Sequence, residues 1–482
     1  MAPATALGAQ AVAARVAFEA LARSSISQRL LGFPGSHRHW RQRSARCAAG
    51  RLGSTVAGSA GFLSLRVIAV RLTMRVERHA PVRKTLAASM AASTLIVAAP
   101  HILGHDQRVA QADFSKAVFV EAMRPKHSRP IIAVVAANGG AETTDFLVPF
   151  SVLQRADVAT VSAVAPRRGR VALMPALAIE VDTDFASFDR AHPSGADYVI
   201  VPALHNSKDA DVIAWIKAQA SKGAVIVGVC SGAVVLGHAG LLDHRQFTGH
   251  WYDRDTLLKR HPTARHVSNQ RYLFDRRVVT TTAVAASIPV SLALIEAIAG
   301  PRVARTWADR LGVQDWNASQ DSVAFRLDWA GRWTVVRNTM LFWRHESIEI
   351  EVADRVDAVQ LALAADGWSR TYRSRAVTIA DSLKPIALGD GVTLLPDQVR
   401  AAANTARALR LSPAMKPGCQ IDQTLREISE RYGSDTSAFV AMQIEYGALD
   451  AKMDGCLSVP RRGREPTESG PAGIGEYDGV PL

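Results

Sequence analysis

The chain has four cysteines, and one of them stands in Gly228-Val229-Cys230-Ser231-Gly232, between an apolar β-branched run and a small-residue helical run. A thiolate is a strong nucleophile. A cysteine between two glycines, where a strand turns into a helix, has the spacing of a nucleophile elbow. Side chains in place of Gly228 and Gly232 would collide with the strand and the helix, and the nucleophile itself is strained. Such a turn is expected to expose the sulfur at the carboxyl end of a sheet, where open α/β sheets place their sites. The first free N–H groups of the following helix would favour thiolate, and Ser231 is a candidate to hold an oxyanion. A cysteine on an apolar run is ordinarily inert core; strand, glycine bracket and helix together reverse that expectation.

The elements needed to hold the turn are legible from residue 129 onward. RPIIAVVAA, VATVSAVA, DYVIVPAL and AVIVGV read as buried strands, and RYLFD and RVVTTT as a strand pair. TTDFLVPFSVLQRA, KDADVIAWIKAQASKG, SGAVVLGHAGLL and AVAASIPVSLALIEAIAG read as helices, with RRGRVALMPALAIEVDTDF a hairpin-like excursion. Continuous apolar strands alternating with helices predict a flavodoxin-like, mainly parallel sheet covered by helices on both faces over 129–300. A smaller α/β extension is expected over 301–456. There VDAVQLALAADGW, RAVTIADS and DGVTLLPD read as strands, and ARALRLSPAMKPG and DQTLREISERYGSDTSAFVAMQIEYGAL as helical pieces. VSAVAPRRGRVALMPALAIEVD and VTIADSLKPIALGDGVTLLPDQ echo one another. The echo suggests a degenerate partial repeat, inert because it has no Gly-x-Cys-x-Gly.

GVCSGAVVLGHAGLLDHRQFTGHW, AETTDFLVPFSVLQRA and VTTTAVAASIPVSLALIEAIAG, in their order along the chain, resemble the ThiJ/PfpI superfamily of class I glutamine-amidotransferase-like proteins. The likeness is to the branch found as the sensor half of GlxA-type, AraC-family regulators. It implies a nucleophile at Cys230, an acid at Asp145 or at Glu142 one turn earlier, and a histidine at His250 as general base or orienting group. Asp145 sharing a proton with Cys230 would suit a carboxyl that must not repel a thiolate. Plainer roles stand beside these: Asp145 as a helix cap and His250 packed on Trp251. Many members carry Gly-Gly where this chain has Pro202-Ala203-Leu204, which puts the oxyanion role of Ala203 and Leu204 in doubt. The resemblance implies cysteine-dependent hydrolase, hydratase or glyoxalase-like chemistry on a small molecule, and pairing with a second copy. The alternative is a transcriptional regulator or a ligand or redox sensor.

Charge bears on that choice. Residues 1–104 hold 13 Arg and Lys84 against Glu19 and Glu77, so they carry +12 of the chain's +13. The body is near neutral and lacks a following pair of arginine-rich DNA-reading helices, so nucleic acid is not an expected partner. Residues 1–73 read as a basic, low-acid, disordered leader, either a transit-type extension or sequence upstream of a start at Met74. Residues 74–112 read as a signal peptide or anchor, with an apolar run at 85–104 and Ala110-Gln111-Ala112 at its end. That places the body in the periplasm or on the outer side of a membrane, or in the cytoplasm if 85–104 is no signal. Export would allow Cys419 and Cys456 to pair and leave Cys230 free. Residues 457–482 read as a disordered tail. No P-loop, dinucleotide fingerprint or zinc spacing occurs, so no cofactor or metal is expected.

Overall fold

The computed structural model describes residues 117–401, 408–447 and 456. The expectations for 1–73, 74–112 and 457–482 lie outside the described residues. Those described belong to one compact unit, Gln107–Leu482. Among them no helix is long and apolar enough to cross a membrane.

The central sheet is built from β1 (Ile131–Val135), β3 (Thr160–Ala165), β6 (Thr183–Asp184), β7 (Tyr198–Val201), β8 (Val225–Gly228), β9 (Tyr272–Asp275) and β10 (Val278–Thr281). Its order is β9-β10-β8-β7-β1-β3-β6, and only β9 runs antiparallel to its neighbour. With the two-residue edge strand β6 set aside, the parallel strands in chain order run 2-1-3-4-5, the flavodoxin-like order, with its reversal between β1 and β7. Every residue of β7 and β8 is buried. Strands enclosed on both faces have no polar side to show, which is why they read as continuous apolar runs. The helices that flank the site are α1 (Thr143–Ala156), α3 (Gly232–His238) and α4 (Ser287–Ala299); α2 (Ala210–Ser221) follows β7. Each ends near its sequence expectation.

The hairpin-like excursion is β4 (Gly169–Met174) against β5 (Ala178–Val181), antiparallel. It belongs to a second sheet that also takes β2 (Ala141–Glu142) and two strands from far along the chain, β13 (Ile386–Ala387) and β14 (Thr393–Leu394). Three further strands, β11 (Glu346–Glu351), β12 (Ser374–Ala380) and β15 (Gln398–Val399), form a small parallel sheet.

The extension corrects the sequence reading in three places. VDAVQLALAADGW is the cap and body of a helix, α6 (Ala358–Ser369), not a strand. Asp357 caps it by accepting from the Gln360 amide, and its body is buried on nearly every side. Apolar all round, such a helix offers no period to tell it from a buried strand. Glu346–Glu351 alternates in burial and is a strand the sequence reading passed over; the helices Pro301–Leu311 (α5) and Trp329–Met340 were also unmarked. The described part of ARALRLSPAMKPG holds no α-helix, only a 3-10 turn at Pro417–Cys419. The two helices after it, α7 (Gln420–Tyr432) and α8 (Ser434–Gln443), fall where expected. Cys419 is disulfide-bonded to Cys456, which leaves Cys230 as a free cysteine.

Candidate functional site

β8 ends at Gly228, and α3 begins at Gly232. Between them Cys230 takes φ 56°, a left-handed backbone that a side chain seldom adopts. The amide of Cys230 is held by Thr281 Oγ1 at 3.1 Å, from the end of β10. The flanking glycines have separate steric reasons. A Cβ on Gly232 would stand 2.1 Å from the Val201 carbonyl oxygen, inside the backbone of β7. A Cβ on Gly228 would stand 3.0 Å from Leu236 and 3.1 Å from the Ala233 amide.

The sulfur is not displayed to solvent. Cys230 is 6% exposed, contrary to the expectation of an open thiol. The extension closes that rim: Arg370 follows α6, and Gln443 and Glu445 follow from α8, each bonded to residues of the first half. Burial pushes the thiol well above its ordinary pKa, and Asp145, Glu142 and Asp253 push the same way while Arg370 opposes them. The resting sulfur is therefore protonated, not the thiolate that a helix terminus alone would have favoured.

Asp145 is wholly buried on the first turn of α1. Its Oδ2 accepts from the Ala203 amide at 3.2 Å, and its Oδ1 is buried without a hydrogen bond. Burial is the main cause that pushes its carboxyl up to about 7. It is not the helix cap. That position is Glu142, whose Oε2 accepts from the Asp145 amide at 2.6 Å. Glu142 Oε1 accepts from Arg370 at 2.7 Å, and Arg370 also bonds Asp366 at 2.7 Å. Burial and the neighbouring Asp145 and Asp366 raise Glu142 well above the carboxylate range. Glu142 and Asp366 thus share one guanidinium with Asp145 close by, and three buried carboxyls beside one cation favour a retained proton in the group.

The remaining sequence candidates divide. Ser231 lies beside the sulfur, with its Oγ 4.0 Å from Sγ, and its hydroxyl donates to Asp253. The Ala203 amide is occupied by Asp145, so it is not free for an oxyanion; Leu204 is buried in a bridge to Ala141. His250 makes no hydrogen bond to Cys230. Its Nε2–H donates to the Gln443 carbonyl at 2.9 Å, its Nδ1 is buried and unbonded, and its ring packs on Trp251. Arg370, Asp366, Asp253 and Thr281 escaped the sequence reading, because nothing in their local spacing marks them. No group of acid, His and Cys residues with metal-binding geometry occurs among the described residues. A cavity of about 790 Å³, lined by Val148, Ile288, Leu363, Ile421 and Tyr446 among others, does not reach Cys230.

Residues 131–297 match the model of the DJ-1/PfpI family. The HTH-type transcriptional regulator CdhR of Pseudomonas aeruginosa is 32% identical over 93 residues, 19% of this chain and 27% of that protein. The isonitrile hydratase of Pseudomonas putida is 31% identical over 94 residues, 19% of this chain and 40% of that protein. The chain thus aligns with well under half the length of either relative. Among solved structures, Drosophila melanogaster DJ-1beta is 20% identical, covering 39% of this chain and all of that one, with TM-score 0.35. A ThiJ/PfpI family protein of Pseudomonas syringae is 24% identical, covering 37% and 73%, with TM-score 0.34.

Proposed function

Because residues 131–297 are a DJ-1/PfpI family domain, we propose that the chain acts on a small electrophile through Cys230, with Asp145 as the proton partner. The supporting observation is one juxtaposition. A free thiol sits on a strained strand-to-helix turn, within electrostatic reach of a buried carboxyl with a raised pKa and an unbonded oxygen. Strain at a single cysteine is a common mark of a nucleophile elbow. A carboxyl near 7 can both take and return a proton at physiological pH.

The chemistry that follows is addition to a small unsaturated carbon. Ionised Asp145 takes the thiol proton as sulfur bonds to carbon. The bond between that carbon and its heteroatom loses one order, and Asp145 returns the proton to the oxygen of a carbonyl substrate or to the terminal carbon of an isonitrile. Water then displaces sulfur, so the net result is hydration or hydrolysis, the class to which the aligned isonitrile hydratase belongs by name. The buried thiol suits a compact substrate. His250, bonded to Gln443, has no part in the step.

A second reading has its own support. A closed thiol in a chain that aligns with a transcriptional regulator also fits a ligand or oxidant sensor that modifies once and does not turn over. The Cys419–Cys456 bond favours a body outside the cytoplasm.

The test is alkylation of native protein as a function of pH, followed by intact mass, on the wild type, Cys230→Ser and Asp145→Asn. Expected is a label at Cys230, told apart from Cys47 by peptide mass, absent in Cys230→Ser, with a rate profile that Asp145→Asn displaces. A thiol that labels only after unfolding in both the wild type and Asp145→Asn rejects the proposal. Turnover of small isonitriles or aldehydes separates enzyme from sensor.

A further inference from the structure

Two stretches of this unit follow the same path. Adding 215 to the residue number takes Glu142 to Asp357, Arg155 to Arg370, Asp157 to Tyr372 and Asp184 to Val399, with no gap between. Glu142 and Asp357 each cap a helix by accepting from the amide three residues on. Asp157 and Tyr372 both take left-handed φ, 51° and 58°. β3 meets β6 at Val164↔Thr183, and β12 meets β15 at Ile379↔Gln398, which is the same register after the shift. The Leu173 amide donates to the Leu177 carbonyl, as Leu388 does to Val392.

The two stretches also face each other about a local two-fold axis. Ile179 pairs with its own counterpart, Leu394. On either side Glu180 pairs with Thr393, and the Leu395 amide donates to Ala178, contacts that exchange under the shift. α1 packs on α6. Arg155 reaches Asp357 at 2.5 Å, and Arg370 reaches Glu142 at 2.7 Å. Contacts that exchange in this way are the signature of a symmetric homodimer, here contained within one chain.

The symmetry is broken at the chemistry. The counterpart of Asp145 is Gln360, and the counterpart of Asp366 is Ser151. Thus Arg155 meets a single carboxylate, whereas Arg370 meets two and lies within electrostatic reach of Cys230. Beyond Val399 the copy thins to one contact: Leu409 bridges Ile350 in parallel, as β7 lies beside β1, and no counterpart of β8 follows among the described residues.

We propose that residues 346–399 stand in for a second subunit: this incomplete copy closes the Cys230 site from outside, supplies Arg370 as its positioning and charge-balancing residue, and lets the chain work as a monomer with one site. The Arg370 part rests on the reading of Cys230 given above; the monomer does not. The groups that set the thiol's charge are Asp145 on α1 and Glu142 at its cap, Asp253 beyond α3, and Arg370 with its partner Asp366 on α6. A second copy cannot use the same face, because α6 and β14 already cover α1 and β5.

The matched pair of arginines provides the experiment. Full-length wild type, Arg155→Ala, Arg370→Ala and Arg370→Lys are labelled with iodoacetamide across pH, and their masses are measured by sedimentation velocity. Expected is a monomer throughout. Arg370→Ala moves the pH midpoint of Cys230 labelling upward by about one unit, Arg370→Lys restores part of it, and Arg155→Ala leaves it in place. Equal midpoints for the two alanine variants, or a wild-type dimer, overturn the proposal. Should Arg370→Ala fail to fold, Arg370→Lys against Arg155→Lys makes the same comparison. If Cys230 never labels, the function above fails and mass alone decides the stand-in subunit: a monomer upholds it, a dimer ends it.

Discussion

At the scale of the residue, the decisive group is Asp145. Its carboxyl titrates near 4 when the chain is unfolded and at about 7 in the fold, raised mainly by burial. The folded chain therefore binds the extra proton across that window, and its stability falls as pH rises through it. Asp145→Asn removes a charge from an enclosed site without changing its size. Its stability should exceed the wild type's by ~2–4 kcal/mol above the folded pKa and match it below the unfolded one. Urea unfolding near pH 4 and near pH 8 checks this, and an equal gain at both would assign the effect to packing. Cys230 was singled out by a local pattern that physics constrains, a bracket of glycines, whereas Asp145 was nominated by the family resemblance alone. Arg370 was not legible, because it acts across the fold on Glu142 and its own neighbours, Ser369 and Thr371, carry no motif. His250 shows the converse: the family resemblance nominated it, and the Gln443 carbonyl 193 residues away engages it instead.

At the scale of the element, the turn from β8 to α3 is set by a backbone approach. Gly232 lies against β7 so closely that a methyl group would overlap the Val201 carbonyl. Gly232→Ala should separate β7 from α3 and destabilise the fold by about 3 kcal/mol or more. Denaturant unfolding gives the magnitude, and a loss below about 1 kcal/mol would show that the turn can relax. The central sheet was readable because strands buried on both faces and helices with one apolar face differ in length and period. The extension was less readable for a physical reason. α6 is enclosed by α1, β12 and α7, so its sequence has no polar stripe, and the short strands β13 to β15 have two residues each. Elements that small take their conformation from partners far away in sequence, and a local window does not contain those partners.

At the scale of the whole molecule, the described residues form one body held together by long-range contacts. The Cys419–Cys456 bond closes a span of 37 residues, which in a chain-entropy account contributes about 3–4 kcal/mol. In a Cys230→Ser background, reduction should lower the thermal midpoint by several degrees; an unchanged midpoint would mean that the two sulfurs are not joined in solution. Glu142 and Arg370 are 228 residues apart, yet they touch beside the thiol. A ribosome adding about 5–20 residues per second releases Cys230 together with its first two acids, and the guanidinium that offsets them emerges many seconds afterwards. The newborn polypeptide therefore holds its sulfur in a different protonation environment from the finished one. A transcript broken off ahead of codon 370 would yield a chain that carries Cys230 and its neighbouring acids but lacks the guanidinium that offsets them.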